Sequence, residues 1–330
     1  MAMREAEQDR PSLGLQLRDL VLRQEGVLVA IMVISVIVLS ITSNNFLTTD
    51  NLLNQARLLT EVGLIALPMT YIIITAGIDL SVGSILGFSA VMLGWLWQEQ
   101  GLPLELAIVA CLGIGTLAGL FNGLFIVYVK VPPIIMTLAT LALYRGLAYG
   151  ISQARSARGY PDWFFRFGAG DFLGLPTQLW FLIVGAIISG LLLARTPFGR
   201  GLYAIGNNEV GARFAGIPVD RYLLMIYTYA GFMSGLAAFV FTSRVSTTRA
   251  DSGTGLELDV IAAVVLGGTS IMGGTGTITG TMLGLVLIQL LKNGLSLSGV
   301  KGDATIVVIG VVLIFAILTN NFIQKRLQRA

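Results

Sequence analysis

The residues able to do chemistry are few in this chain, and their types exclude most of it. There is no histidine and a single cysteine, Cys111. An intrachain disulfide, an imidazole metal site and any Ser–His–Asp or Cys–His nucleophile are therefore ruled out. Cys111 sits in an apolar run and reads as a small packing residue. No G-x-x-x-x-G-K-[ST] segment occurs, so no P-loop is expected. "GIGTLAG" at Gly113 imitates a dinucleotide fingerprint, but it lies in an apolar run with no strand before it and reads as helix packing. "GGTGTITG" fails the same pattern because Thr279 stands where the third glycine should be. Neither a bound cofactor or metal nor a nucleic-acid partner is expected, and no catalytic residue emerges.

What remains is a set of isolated charges at or within apolar stretches. Asp79, in "AGIDLSVGS", fits a structural turn or helix cap, with a substrate or proton contact as the alternative. Glu257 and Asp259 fall in the first turn of a span that opens on the outer side, where acidic groups suit the helix dipole. Arg145 lies in the outer half of a span, where it either snorkels to the interface or faces the interior.

The elements that carry these residues are membrane spans. Only 12% of the chain is charged and 55% is hydrophobic, with a mean hydropathy of +0.82; soluble domains are roughly 25% charged. A span needs about 20 apolar residues. The run 260–291 is too long for one, so it is divided at its Gly/Thr cluster. Spans are then expected at 26–43, 58–77, 80–98, 104–129, 131–152, 176–194, 222–243, 256–272, 276–297 and 304–320. The fold class is an all-α, polytopic integral membrane protein with about ten transmembrane helices. It has a cytoplasmic N-terminal arm (1–25), a transmembrane domain (26–320) containing a cytoplasmic loop (195–221), and a cytoplasmic C-terminal tail (321–330). Placing both termini inside puts more of the Lys and Arg residues inside. The basic loop 152–175 is also rich in aromatics, which suit the outer interface.

Within the internal loop, "GNNEVGARFAG" (Gly206–Gly216) has the marks of a short capped helix. Asn207 or Asn208 supplies the N-cap. Glu209 near the start and Arg213 near the end match the dipole. Gly216 supplies the left-handed stop and Pro218 blocks continuation. Val210 and Phe214 share one face, and two turns of helix are not stable alone in water. That face must dock either on the protein's own surface or lipid headgroups, or on a cytoplasmic partner.

The stretch "TPFGRGLYAIGNNEVGARFAGIPVDR" resembles the coupling-helix loop of permease subunits of the monosaccharide ABC importer family, the ribose, xylose, rhamnose and autoinducer-2 type. "AGIDLSVGSILG", "PPIIMTLATLALYRGLA" and "GTGLELDVIAAVVLGGTSIMGGTGTITGT" resemble the same family, and together they cover nearly the whole chain in order. The resemblance implies a bacterial inner-membrane subunit that imports a sugar or sugar-like molecule. It implies too that a separate ATPase subunit would consume ATP, that a soluble sugar-binding protein would deliver the substrate, and that a second copy or sister permease would complete the path. The coupling helix would comprise Asn207, Asn208, Glu209, Val210, Gly211, Arg213, Phe214 and Gly216. A neutral sugar calls for hydroxyl and amide groups along the path: Ser84, Ser89, Asn122, Thr137, Thr140, Thr269 and Ser270, with Arg145 as a charged candidate. Arg244, Arg249, Glu257 and Asp259 are candidates for docking the binding protein. "GGTSIMGGTGTITG" is expected to pack at a subunit or repeat interface. An ion-coupled transporter would show more intramembrane carboxylates, a branched-chain amino-acid permease usually differs at "GIDLSVGS", and a membrane enzyme would need clustered acids or histidine.

Overall fold

The computed structural model describes residues 24–300 together with 307, 310 and 311. The arm expected over 1–25 lies outside the described residues except for its last two. The last expected span, 304–320, and the tail lie outside except for 307, 310 and 311.

The described chain is helical almost throughout. In order it forms α1 (Gln24–Thr42), α2 (Thr49–Ile74), α3 (Val82–Gln98), α4 (Leu104–Leu124, running on through a π-helical turn to Val129) and α5 (Pro133–Ser152). After β1 (Ala157–Arg158) come α6 (Asp162–Gly168), β2 (Asp171–Phe172), β3 (Leu175–Pro176) and α7 (Thr177–Arg195). Then follow α8 (Pro197–Asn207), α9 (Glu209–Phe214), α10 (Val219–Val245), β4 (Thr247–Thr248), α11 (Leu256–Leu266) and α12 (Ile278–Leu297). Six helices are long and apolar enough to cross a membrane, namely α2, α4 with its π turn, α5, α7, α10 and α12; Leu28–Thr42 and α3 are shorter apolar helices.

One expected span takes a different form. The span over 256–272 is only the eleven-residue α11, followed by turns to Thr277. The reason is glycine. Gly268, Gly273, Gly274 and Gly276 all have positive φ, a conformation that no helix accommodates.

The centre of the bundle is α10, which packs along α4 and against α2 and α3. Gly115 and Gly119 of α4 face Gly231 and Gly235 of α10, so the two backbones touch. A methyl group at Gly115 would stand 2.6 Å from the Gly231 carbonyl oxygen. This small-xxx-small pairing is the membrane form of close packing, and it absorbs the "GIGTLAG" motif as a packing surface. Cys111, one turn earlier, is fully buried beside Gly235.

The loop between α5 and α7 is ordered by its aromatics. Tyr160 stacks between Trp97 and Phe164, with centroids 4.5 and 4.9 Å away. The strand β1 pairs antiparallel with β4, Ala157 opposite Thr248, which ties this loop to the chain leaving α10. A second small hairpin pairs β2 with β3. These strands mark one end of the bundle, and α8 and α9 mark the other.

Candidate functional site

At the α9 end, local sequence signals fold as a unit. Thr196 caps α8, accepting from Gly199 N at 3.3 Å, and α8 ends at Asn207. Of the two asparagines, Asn208 is the cap of α9: its Oδ1 accepts from Gly211 N at 2.9 Å. Asn207 closes α8 instead, donating from Nδ2 to Tyr203 O. The helix therefore runs from Glu209 to Phe214, shorter than expected. Arg213 Nη2 pairs with Glu209 Oε1 at 2.9 Å and with Asp220 Oδ1 at 2.6 Å. Hydrogen bonds to Asp220 first and Glu209 second hold the guanidinium proton more tightly than usual. Gly216 takes φ +78° and ends the turn.

The face that docks on the protein is not the apolar one. Ala212 is buried, whereas Val210 is 63% and Phe214 90% exposed. Among the described residues, α9 presents its two largest apolar side chains outward.

Behind α9, α8 is wedged against the core. Gly206 lies against Ile74 O at the end of α2 and against Gly274 N, and Gly274 N itself donates to Ile74 O at 2.9 Å. Tyr203 donates from Oη to Gly276 O at 2.7 Å. "GGTSIMGGTGTITG" thus packs on α8 within this chain. Thr269, buried, and Ser270, whose Oγ accepts from Met272 N, belong to this junction.

A second polar cluster sits where α3, α4 and α5 meet. Asp79 is completely buried; its Oδ1 accepts from Ser81 N at 2.8 Å and from Ser81 Oγ at 2.6 Å, forming the turn into α3. Asn122 donates to Ser81 Oγ at 2.8 Å. Thr137 donates to Ile78 O and Pro133 O, Thr140 to Met136 O, and Ser84 to Ser81 O. The side chains of Ser84, Asn122, Thr137 and Thr140 are buried inside the chain beside Asp79 and Ser81, and Ser89 on α3 is buried as well. Among the described residues, Asp79 Oδ2, Tyr227 Oη and Ser89 Oγ are buried without a hydrogen-bond partner.

Arg145 does not snorkel. Its Nη1 donates to Ala250 O at 2.5 Å and Ser252 O at 2.7 Å, and its Nη2 to Gly83 O at 3.4 Å. The carbonyls of Ala250 and Ser252 come from the turns that link β4 to α11, that of Gly83 from α3, and the turns run beside α3. Thr248 abuts Gly94, Ser252 abuts Gly87, and Gly253 with Glu257 abuts Gly83. A methyl group at Gly87 would lie 2.6 Å from Ser252 O, so glycine at these positions is what lets the two backbones meet. Gly94 to Gly83 is about 16 Å of helix. Glu257 therefore opens α11 well inward of the end where a docking protein was expected to meet it.

The other docking candidates also differ. Arg244 turns inward and its Nε donates to Glu61 Oε1 at 2.7 Å; Glu61 is only 4% exposed. Asp259 pairs with Lys292 at 2.6 Å, while Arg249 pairs with Asp251 and stays exposed. Glu61, just before a charge-free run that begins at Val62, is not among the candidates named from the sequence. Its signal is a carboxylate inside an apolar span with an arginine in another.

Six helices long and apolar enough to cross a membrane, with the short capped α9 at one end, make this a multi-pass helical membrane protein. The model of the branched-chain amino acid transport system / permease component family matches residues 51–317, and the chain belongs to that family. It is 42% identical to a ribose import permease protein of Bacillus subtilis over 87% of this chain and 89% of that protein. Its identity to the Haemophilus influenzae ribose import permease protein is 35%, over 89% of this chain and 92% of the other. An autoinducer 2 import system permease protein of Escherichia coli K12 is likewise 35% identical, over 92% and 94%. No solved structure matches the chain.

Proposed function

We propose that this chain is the membrane-spanning subunit of a binding-protein-dependent importer for a monosaccharide or sugar-like molecule of the pentose, rhamnose or autoinducer-2 type. It works in a bacterial inner membrane with both termini cytoplasmic. The observation that carries the substrate class is the identity to ribose and autoinducer 2 import permeases along nearly the full length of both partners. ATP is bound and hydrolysed by a separate subunit, and a soluble sugar-binding protein loads the path. A second copy or a sister permease completes it.

In this reading α9 is the coupling helix. Val210 and Phe214, exposed on a six-residue helix, offer the apolar knob that an ATPase groove accepts. The Asn208 cap and the Arg213 pairs keep that knob rigid. The strain of ATP binding passes through α8, by the Gly206 and Tyr203 contacts, to the end of α2 and the glycine-rich turns after α11. A partner drives this transition only by binding its two states with different affinity.

Uptake into proteoliposomes that hold this chain, its ATPase and its binding protein, with ATP inside and a panel of labelled sugars outside, tests the proposal. Uptake of one sugar that vanadate abolishes and an ionophore spares is the expected result. ATP-independent uptake that collapses with the ionophore would assign the chain to ion-coupled transport instead.

A further inference from the structure

The link between β4 and α11 is a run of turns beside the spans. Residues 249–255 follow α3 inward in successive turns, with Ser252 N donating to Arg249 O and Thr254 N to Asp251 O. Irregular backbone at membrane depth persists only where protein buries it or where it lines water. One side of this segment is buried: Ser252 lies on α3, and Arg145 takes up the carbonyls of Ala250 and Ser252.

The other side is open and charged. Arg249 and Asp251 expose 61% and 44% of their side chains, Thr254 is exposed, and Leu258 is 65% exposed. The ion pair of Asp259 with Lys292, from α11 and α12, is about one-third exposed on each side. Charges within spans face a bundle interior or a water-filled cavity rather than hydrocarbon. At the outer end of α3, where Thr248 abuts Gly94, a cavity of about 200 Å³ is lined by Gln98, Gln153, Arg155 and Thr248. The segment leads inward from that cavity.

We propose that the turns from Arg249 to Gly255 and the exposed face of α11 form the wall of a water-filled entry to the translocation path, and that Arg145 is the positioning residue that holds this wall against α3. The assignment of the water to a sugar path rests on the import reading above; the wetness of the wall does not. The non-helical link between α10 and α11 is what creates the entry. A continuous helix from Val245 would fill that space with side chains and leave no backbone for Arg145 to hold.

The test is labelling by a charged, membrane-impermeant maleimide, applied to the assembled transporter in sealed vesicles. Arg249→Cys, Thr254→Cys and Leu258→Cys serve as reporters. Ile187→Cys on the apolar face of α7 is the dry control, and Leu173→Cys in the exposed β2–β3 hairpin is the wet one. The native Cys111 is buried and supplies the blank. A thiol reacts as its thiolate, which an apolar medium suppresses, so Thr254→Cys and Leu258→Cys should react at least about tenfold faster than Ile187→Cys. Adding Arg145→Leu should change the Thr254→Cys rate severalfold, and Arg145→Lys should restore it towards the starting value. Rates at Thr254→Cys and Leu258→Cys equal to that of Ile187→Cys, in vesicles where Leu173→Cys reacts, would overturn the inference. Three reporters keep the test readable if one variant misfolds. Wild-type vesicles without sugar uptake would refute the import reading alone, whereas unlabelled reporters in vesicles that transport normally would refute only the wet wall.

Discussion

The short helix α9 and the latched segment before α11 are opposites in construction. α9 is assembled from neighbours: Asn208, Glu209, Arg213 and Gly216 all lie within nine residues, and its apolar side chains point away from the protein. The latched segment is assembled from strangers. Arg145 reaches carbonyls more than a hundred positions away, and glycines on α3 make room for them. A locally built element can be exposed and handled by a partner without unfolding anything. One built from distant parts is inseparable from the fold, so damage there registers as lost stability.

Substitutions separate the two regions by what they change. Arg145→Leu strands two carbonyls and removes charged hydrogen bonds, which should cost about 3 kcal/mol and lower the thermal unfolding midpoint of the reconstituted protein. An unchanged midpoint would dissolve the contrast. Phe214→Asp should weaken ATPase attachment by about 2 kcal/mol, more than tenfold, as expected for a central anchor, while the unfolding midpoint of the isolated chain stays put. A fall in that midpoint would mean that Phe214 packs on its own chain. Asn208→Ala should loosen α9 by about 1 kcal/mol, seen as a few-fold drop in sugar-stimulated ATP hydrolysis without loss of assembly. Arg213→Gln is the mildest. Its pairs are exposed, so the effect should stay below about 1 kcal/mol, and high salt should erase most of it.

Reading the sequence worked where the controlling physics was local or averaged. Spans are a property of about 20 consecutive residues, and α2, α4, α5, α7, α10 and α12 were all legible for that reason. The cap and stop of α9 were legible because each partner lies within a few residues. The direction of Val210 and Phe214 was not, since it depends on how α8 seats Gly206 against Ile74 and Gly274. Nor was the depth of Glu257. Acidic residues at a helix start say that a helix begins, but where it begins in the bilayer depends on Arg145 and Gly83. Ser84, Asn122, Thr137 and Thr140 were chosen for their chemistry, and the structure brings them together around Asp79 and Ser81, with their hydrogen bonds closed inside the chain. Hydroxyls at a helix crossing and hydroxyls facing a path have the same letters.

The glycine contact between α4 and α10 has a mechanical consequence. Where side chains interdigitate, helices can slip by exchanging rotamers. Gly115, Gly119, Gly231 and Gly235 offer no rotamers to exchange, and the backbones already touch. Sliding one helix past the other by even a residue would drive a neighbouring side chain into a carbonyl. In any change of shape α4 and α10 therefore travel as one rod, and the movement has to be taken up elsewhere in the bundle.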